Sequence, residues 1–322
     1  MDLVKNVTNG IAEGFCILKT VEQKITTKKT PFLDLVLADG GGEMNAKLWD
    51  YSPERHGEYE AGMIVKVRGT IDKWNNIPQL KIDRIRPATS DDPVPVDQLV
   101  PCAPYGTQWM YQQLIDAASQ ITDGDIQAIL LELLHQNKEA LLIWPAAVKM
   151  HHAVRGGLLY HTLSMLRVAQ RICDVYPILN RDLVCAGIIL HDLGKTEELD
   201  VSDAGTANGY TVRGQLIGHL CGGVVNLEKI GEQLGTPKET LLLLEHMVYS
   251  HHGIPEFGSP IRPMFPEAEV VSQLDTLDAT LFEMDSALSK VQPGEVTGKV
   301  WGLDRKLYRH SRFEPSEKTN LE

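Results

Sequence analysis

The chain has 322 residues, 43% of them hydrophobic and 23% charged, with a formal net charge of −12 at pH 7. That length leaves room for about two domains with real cores, and the composition excludes a disordered, collagen-like or coiled-coil chain. The longest apolar stretches, 140–148 and 183–190, fall short of the roughly 20 residues of a membrane helix, so no membrane partner is expected.

The acid excess argues against a nucleic-acid partner only where it resides. Residues 1–90 carry a net +1 and the remainder −13. Residues 1–14 show no basic region followed by an apolar one, so no secretory leader is expected. Cys16, Cys102, Cys173, Cys185 and Cys221 are odd in number and form no CxxC pair, which points to reduced thiols and a cytoplasmic protein.

Short period-two runs come first: Gly14–Lys19 continuing from Val21, then Pro31–Leu37, Met44–Trp49, Met63–Gly69 and Leu80–Ile85. The segments 39–42 and 75–78 separate them as turns, and 52–62 has room for a short helix. Five such strands with an insertion after the third predict an OB-type barrel over residues 1–90. Such barrels bind single strands by stacking bases on aromatic rings beside a basic groove. Trp74, Phe32, Lys28 and Lys29 are the expected substrate contacts, with at least two of Phe15, Phe32, Trp49 and Trp74 expected in the core.

Residues 91–107 are rich in Pro and Asp and read as a linker. Helical periodicity then takes over at 109–118, 124–136, 158–175, 182–190, 215–234, 238–250 and 266–288, so residues 108–322 are expected to be all-α. The fold class is therefore a small all-β barrel followed by a helical domain. The basic stretch 299–312 is either a guide for RNA, a subunit contact or a solvated helix face.

Eight of the eleven histidines lie between His151 and His252. His161, the pair His191-Asp192, His219, the pair His251-His252 and Asp275 interrupt apolar faces of different predicted helices. A buried, unpartnered polar group costs about 2–7 kcal/mol, and a shared metal ion removes that cost. Singly, each residue is an ordinary core or surface residue; as an ordered set they predict a metal site.

That set, with HDLGK at 191–195, resembles the HD-domain metal-dependent phosphohydrolases. GGLLYHT (156–162), GQLIGHL (214–220), SHHGIPEFGSPIRP (250–263), PEAEVVSQLDTLDA (266–279) and LDRKLYR (303–309) narrow the resemblance to the YhaM-type 3′-5′ exoribonucleases. The resemblance implies that His161, His191, Asp192 and Asp275 hold one ion. It also implies that Asp192 bridges to a second ion on His219 and His251, with His252 a further ligand or a phosphate contact.

It further implies Mn2+, a homo-oligomer, and hydrolysis of single-stranded RNA to nucleoside monophosphates. The donors alone fit Mn, Fe, Co, Ni or Zn. Asp192 and Lys195 are the expected catalytic residues, Lys195 and the weaker candidate Arg262 reaching phosphate oxygens. Asp278, one turn from Asp275, is expected to anchor a ligand histidine or to be solvated; His151 and His152 are expected at the periphery. Two other readings stay open: a phosphohydrolase of nucleotides or cyclic dinucleotides, and a single-stranded DNA-binding replication factor with a structural metal.

Overall fold

In a computed structural model of the chain, the described residues are 10–315, apart from 40, 41, 75, 76, 90 and 95 and the side chains of Lys73, Trp74 and Phe257. Five strands, β1 (Gly10–Ile25), β2 (Pro31–Asp39), β3 (Gly42–Trp49), β4 (Ile64–Trp74) and β5 (Ile77–Pro87), close in the order β1-β2-β3-β5-β4. The β3–β5 seam is parallel and the other pairings are antiparallel. The sixteen-residue β1 pairs with β4 through its first half and with β2 through its second, with a register shift between Leu18 and Thr20. Such a bulge is how one strand turns a barrel corner.

Alternation sends Leu33, Leu35 and Leu37 of β2, Met44, Ala46 and Leu48 of β3, and Val65 and Val67 of β4 inward, where they are buried. The insertion after β3 holds the short helix α1 (Pro53–His56), with Pro at its first position. The 39–42 turn falls partly on Gly40 and Gly41, outside the described residues.

The chain divides into two compact units. One runs to Cys102 and also takes in Val201–Asn208; the other holds Ala103–Asp200 and the chain from Gly209 onward. In the stretch read as a linker, α2 (Val96–Leu99) ends in Leu99, which with Val100 is buried beside Ile17 and Ala204. Ala204 lies between two strands that the sequence does not announce, β6 (Leu199–Val201) and β7 (Ala207–Tyr210). With three and four residues and an Asn-Gly pair, they are too short for a legible alternation. The region after residue 108 is helical as expected, with this one two-stranded hairpin set among the helices.

The second unit is built from α3 (Thr107–Ser119), α4 (Gly124–Gln136), α5 (Lys138–Leu141), α6 (Gly157–Val175), α7 (Arg181–Leu190), α8 (Lys195–Glu198), α9 (Val212–Leu234), α10 (Lys238–Ser250) and α11 (Pro266–Leu288). Their apolar faces bury Leu158, Met165, Val184, Ile188, Met247 and Val271 in one core. Asp123 and Asn180 cap α4 and α7, each accepting from free backbone N–H groups of the first turn. The segment after α11 is a 3-10 turn (Trp301–Leu303) with isolated bridges Val296–Tyr308 and Val300–Arg305, not a helix. Arg309 donates to the carbonyls of Leu288 and Val291 at the end of α11. No helix among the described residues is long and apolar enough to cross a membrane.

Where α9 meets α10, burial and a hydrogen bond donated by the protonated Glu245 carboxyl to the Glu228 carboxylate push the Glu245 carboxyl up to about 7. The folded state thus holds a proton that the unfolded chain releases near its ordinary value of 4.5, so this site's contribution is complete below that pH and is lost as pH rises through 7. Glu245→Gln is expected to raise Tm by about 2 °C at pH 8 and to leave it unchanged at pH 4.5, read by calorimetry. Glu228 is exposed and Glu245 only partly buried, so solvent screening keeps the effect small.

Candidate metal centre

Each cluster residue is delivered by a helix end or an interruption. His161 sits in the second turn of α6, and His191 caps the C-terminus of α7 so that Asp192 follows in the turn before α8. His251 caps α10, and Asp275 and Asp278 share one face of α11 a turn apart. Inside α9 the helix breaks at Gly218, whose φ of 72° and ψ of 169° suit glycine only, and the chain restarts at His219. Glu198 accepts from the freed His219 N–H at 3.2 Å and pairs with its Nδ1 at 3.0 Å. The carboxylate therefore caps the restarted helix and aims the ring at once.

Four imidazoles are oriented in the same sense. Nδ1 of His191 donates to Ile188 O and Nδ1 of His251 to Val248 O, both at 2.7 Å. Nδ1 of His161 faces Asp278 Oδ2 at 2.7 Å, and Nδ1 of His219 faces Glu198. With Nδ1 so engaged, the Nε2 lone pairs are the ones left to bind.

They converge on the two oxygens of Asp192. Oδ2 lies 3.4 Å from His191 Nε2 and 3.7 Å from His161 Nε2; Oδ1 lies 3.5 Å from both His219 Nε2 and His251 Nε2. His161 Nε2 also lies 3.3 Å from Asp275 Oδ1. These gaps are long for hydrogen bonds but suit donors that share an ion at about 2.1 Å each.

Asp192 Oδ1, His219 Nε2 and His251 Nε2 are buried with no hydrogen-bond partner. Leaving them so costs about 1–3 kcal/mol apiece. A divalent cation satisfies all three, so the donor set fits a metal. The His161 side tells the same story: burial pulls its pKa down, but Asp275 and Asp278 outweigh it and hold it up at about 9, marking a seat for positive charge. Burial opposes ionisation of Asp192 and Asp275, yet Lys195 and His191 hold the first, and His161 the second, well below the usual carboxylate range.

The structure gathers His161, His191, Asp192, His219, His251, His252 and Asp275. Asp192, His219, His251 and His252 offer donor atoms within 4.8 Å of one another, as do His161, His191 and Asp192. Lys195 is buried inside the cluster, donating to Asp192 Oδ2 at 2.6 Å rather than standing at its mouth. Burial pulls its pKa down, but Asp192 and Asp275 outweigh that and raise it. Arg262 is not brought in: it is exposed in the loop before α11, with no contact to the cluster among the described residues.

Three residues matter more than the sequence suggests. His152, expected at the periphery, is 2% exposed and bonded to Asp278 Oδ2 at 2.7 Å, so Asp278 is held between two histidines. His151, also expected at the periphery, offers a donor atom within 4.8 Å of those of His161 and Asp275. Glu198 carried no signal, because an acid in a charged KTEE turn looks solvated.

On the barrel, Lys28 and Lys29 are exposed in the turn after β1, and Trp74 ends β4 with its side chain outside the described residues. Phe32, expected as a stacking surface, is only 8% exposed because Trp49 stacks on it at 4.8 Å. Trp49 is 39% exposed and is the ring offered on that face, with Lys47 Nζ 5.5 Å from its centroid.

Family models match both parts of the chain: an HD domain over residues 158–280 and an OB-fold nucleic acid binding domain over 19–88. The 3′-5′ exoribonuclease YhaM of Bacillus velezensis is 39% identical over 94% of this chain and 95% of its own length. The chain belongs to the YhaM 3′-5′ exoribonuclease family. The YhaM proteins of Geobacillus sp. (40% identity over 91% of this chain and 90% of theirs) and Bacillus subtilis (38% over 94% and 95%) match to the same extent. Among solved structures, a replication protein A heterotrimer bound to ssDNA covers 25% of this chain and 59% of its own, at 17% identity and a TM-score of 0.21. This YhaM-family chain is thus an enzyme with a closed OB barrel and a helical HD domain; the HD domain implies dependence on a divalent metal, and the His/Asp cluster offers donors that could hold one.

Proposed function

We propose that this YhaM-family enzyme is a cytoplasmic 3′-5′ exoribonuclease. It shortens single-stranded RNA to nucleoside monophosphates at a centre holding two ions, Mn2+ by the family resemblance, and works as a homo-oligomer. The observation that carries the reading is the double-sided Asp192, each of whose oxygens faces two imidazole Nε2 atoms. His161, His191, Asp192 and Asp275 hold one ion, and Asp192, His219 and His251 the other, with His252 beside them. When bound, the ions supply acidity to a water and charge neutralisation to the phosphodiester and its leaving oxygen.

The protein's own groups set the rest. Asp278, Glu198 and the carbonyls of Ile188 and Val248 fix the tautomers. Lys195 brings a buried positive charge to Asp192 and to a phosphate oxygen held there, the catalytic part expected of it. On the barrel, Trp49 stacks a base while Lys47, Lys28 and Lys29 line the backbone's path. Arg55, Lys66, Arg68, Arg84 and Arg86, around a cavity of about 500 Å3, add a local basic surface to an acidic chain. The five free cysteines accord with a reducing compartment.

The test is a timed digestion of 5′-labelled single-stranded RNA and DNA with Mn2+, Co2+, Mg2+ or chelator. A ladder receding from the 3′ end of RNA, dependent on a transition metal and stopped by chelator, is expected. Digestion of neither strand with any metal, or turnover of free nucleotides with which RNA does not compete, overturns the proposal.

A further inference from the structure

The wall of the metal centre continues into a cavity of about 230 Å3, lined by His151, His252, Asp275, Thr280, Glu283 and Gly302 among others. Helix α11 supplies one side of it as a single stripe, from Asp275 to Glu283. Those two residues are eight apart, which is about 12 Å along a helix axis. The span suits one nucleotide unit, with its phosphate at the Asp275 end and its sugar beyond.

Glu283 closes the far end. Among the described residues it has no hydrogen-bond or ion-pair partner, and burial alone acts on its carboxyl, drawing its pKa upward. Its head lies over the backbone of Gly302: a Cβ placed there would stand 2.3 Å from Oε2 and 2.6 Å from Oε1. Gly302 therefore leaves the room in which the carboxylate sits. An ionised carboxylate is acceptor-only and has two oxygens, which matches the two O–H donors of a cis-diol, the pairing by which an acid reads a ribose in dinucleotide folds.

We propose that this cavity is the subsite for the 3′-terminal ribose and that Glu283 accepts from its 2′- and 3′-hydroxyls. The site then selects a free ribose end. A 2′-deoxy end leaves one oxygen of the carboxylate unpaired, and a 3′-phosphate brings a dianion against it. The inference rests on the exoribonuclease reading and adds to it how the strand's end is recognised.

The test uses the full chain and three otherwise identical RNA oligomers ending in a ribose diol, a single 2′-deoxynucleotide or a 3′-phosphate, with kcat/KM measured for the first cleavage. Wild type is expected to favour the diol end over the deoxy end by about 10-fold, the worth of one charge-assisted hydrogen bond, and to turn over the 3′-phosphate end least. Glu283→Gln is expected to bring the diol-to-deoxy ratio close to one and to narrow the gap to the 3′-phosphate end. Gly302→Ala, which displaces the carboxylate without removing it, is expected to do the same in part. Equal turnover of diol and deoxy ends by wild type, or an equal loss on all three ends in Glu283→Gln, overturns the subsite. Failure of wild type to digest any of the three overturns the nuclease reading itself.

Discussion

Asp192→Asn is expected to lower turnover of single-stranded RNA by about 10^3–10^4-fold, with far-ultraviolet circular dichroism unchanged. The substitution keeps the shape of the side chain and removes its charge. Four imidazoles and the Lys195 ammonium surround that carboxylate, so its loss strips a ligand from both sides of the cluster. On the proposed two-ion centre, elemental analysis of the purified variant should then show both ions reduced together. If Asp192 served one ion only, one equivalent would remain on His219 and His251 or on His161 and His191. Removing one partner of a buried pair also leaves Lys195 uncompensated, which costs about 3–5 kcal/mol, so a lower Tm accompanies the loss of activity. Retained metal and retained activity would refute the bridging role.

Gly194→Ala is expected to destabilise the helical unit by about 2 kcal/mol, a fall in Tm of roughly 6 °C. A Cβ at Gly194 would stand 2.4 Å from the carbonyl oxygen of His219 and 3.1 Å from the Gly223 nitrogen. Both are backbone atoms of α9 and cannot rotate aside, so either the HDLGK turn or the restarted helix must move. Either shift draws His219 away from Asp192, and metal affinity should fall along with stability. Gly222 is the matched control: it lies in α9, yet nothing stands within 4 Å of a Cβ built there. Gly222→Ala should be neutral or stabilising by about 0.5–1 kcal/mol, because alanine favours a helix interior. Similar melting and metal binding for the two alanine variants would contradict the close-approach argument.

Much of this was legible before any coordinates. Period-two runs located all five barrel strands because each carries one buried face, although β1, β4 and β5 run longer than their apolar cores. Helices α6, α7 and α9–α11 carry long apolar faces, and their polar interruptions named the cluster. What sequence could not reveal has a common cause: it depends on groups far apart in the chain. Glu198 becomes visible only once the break at Gly218 brings a free N–H to it. His152 reads as peripheral until α11 brings Asp278 against it. Phe32 and Trp49 are alternative stacking rings until the register sets them face to face, where Trp49 covers Phe32. Arg262 resembled a phosphate ligand in a glycine- and proline-rich loop, but the loop leaves it exposed.

The Val201–Asn208 hairpin also bears on how the protein can be dissected. Because this stretch groups with the barrel although the helical unit's own chain flanks it on both sides, no single cut yields two intact halves. A fragment ending at Cys102 loses Ala204, one of four buried members of its small apolar cluster, and a chain lacking residues 1–90 strips Ile17 from the same cluster. The RNA-holding and hydrolytic parts are separable on paper but interleaved as polypeptide. Any insertion, permutation or domain exchange in this chain must therefore respect a boundary crossed three times.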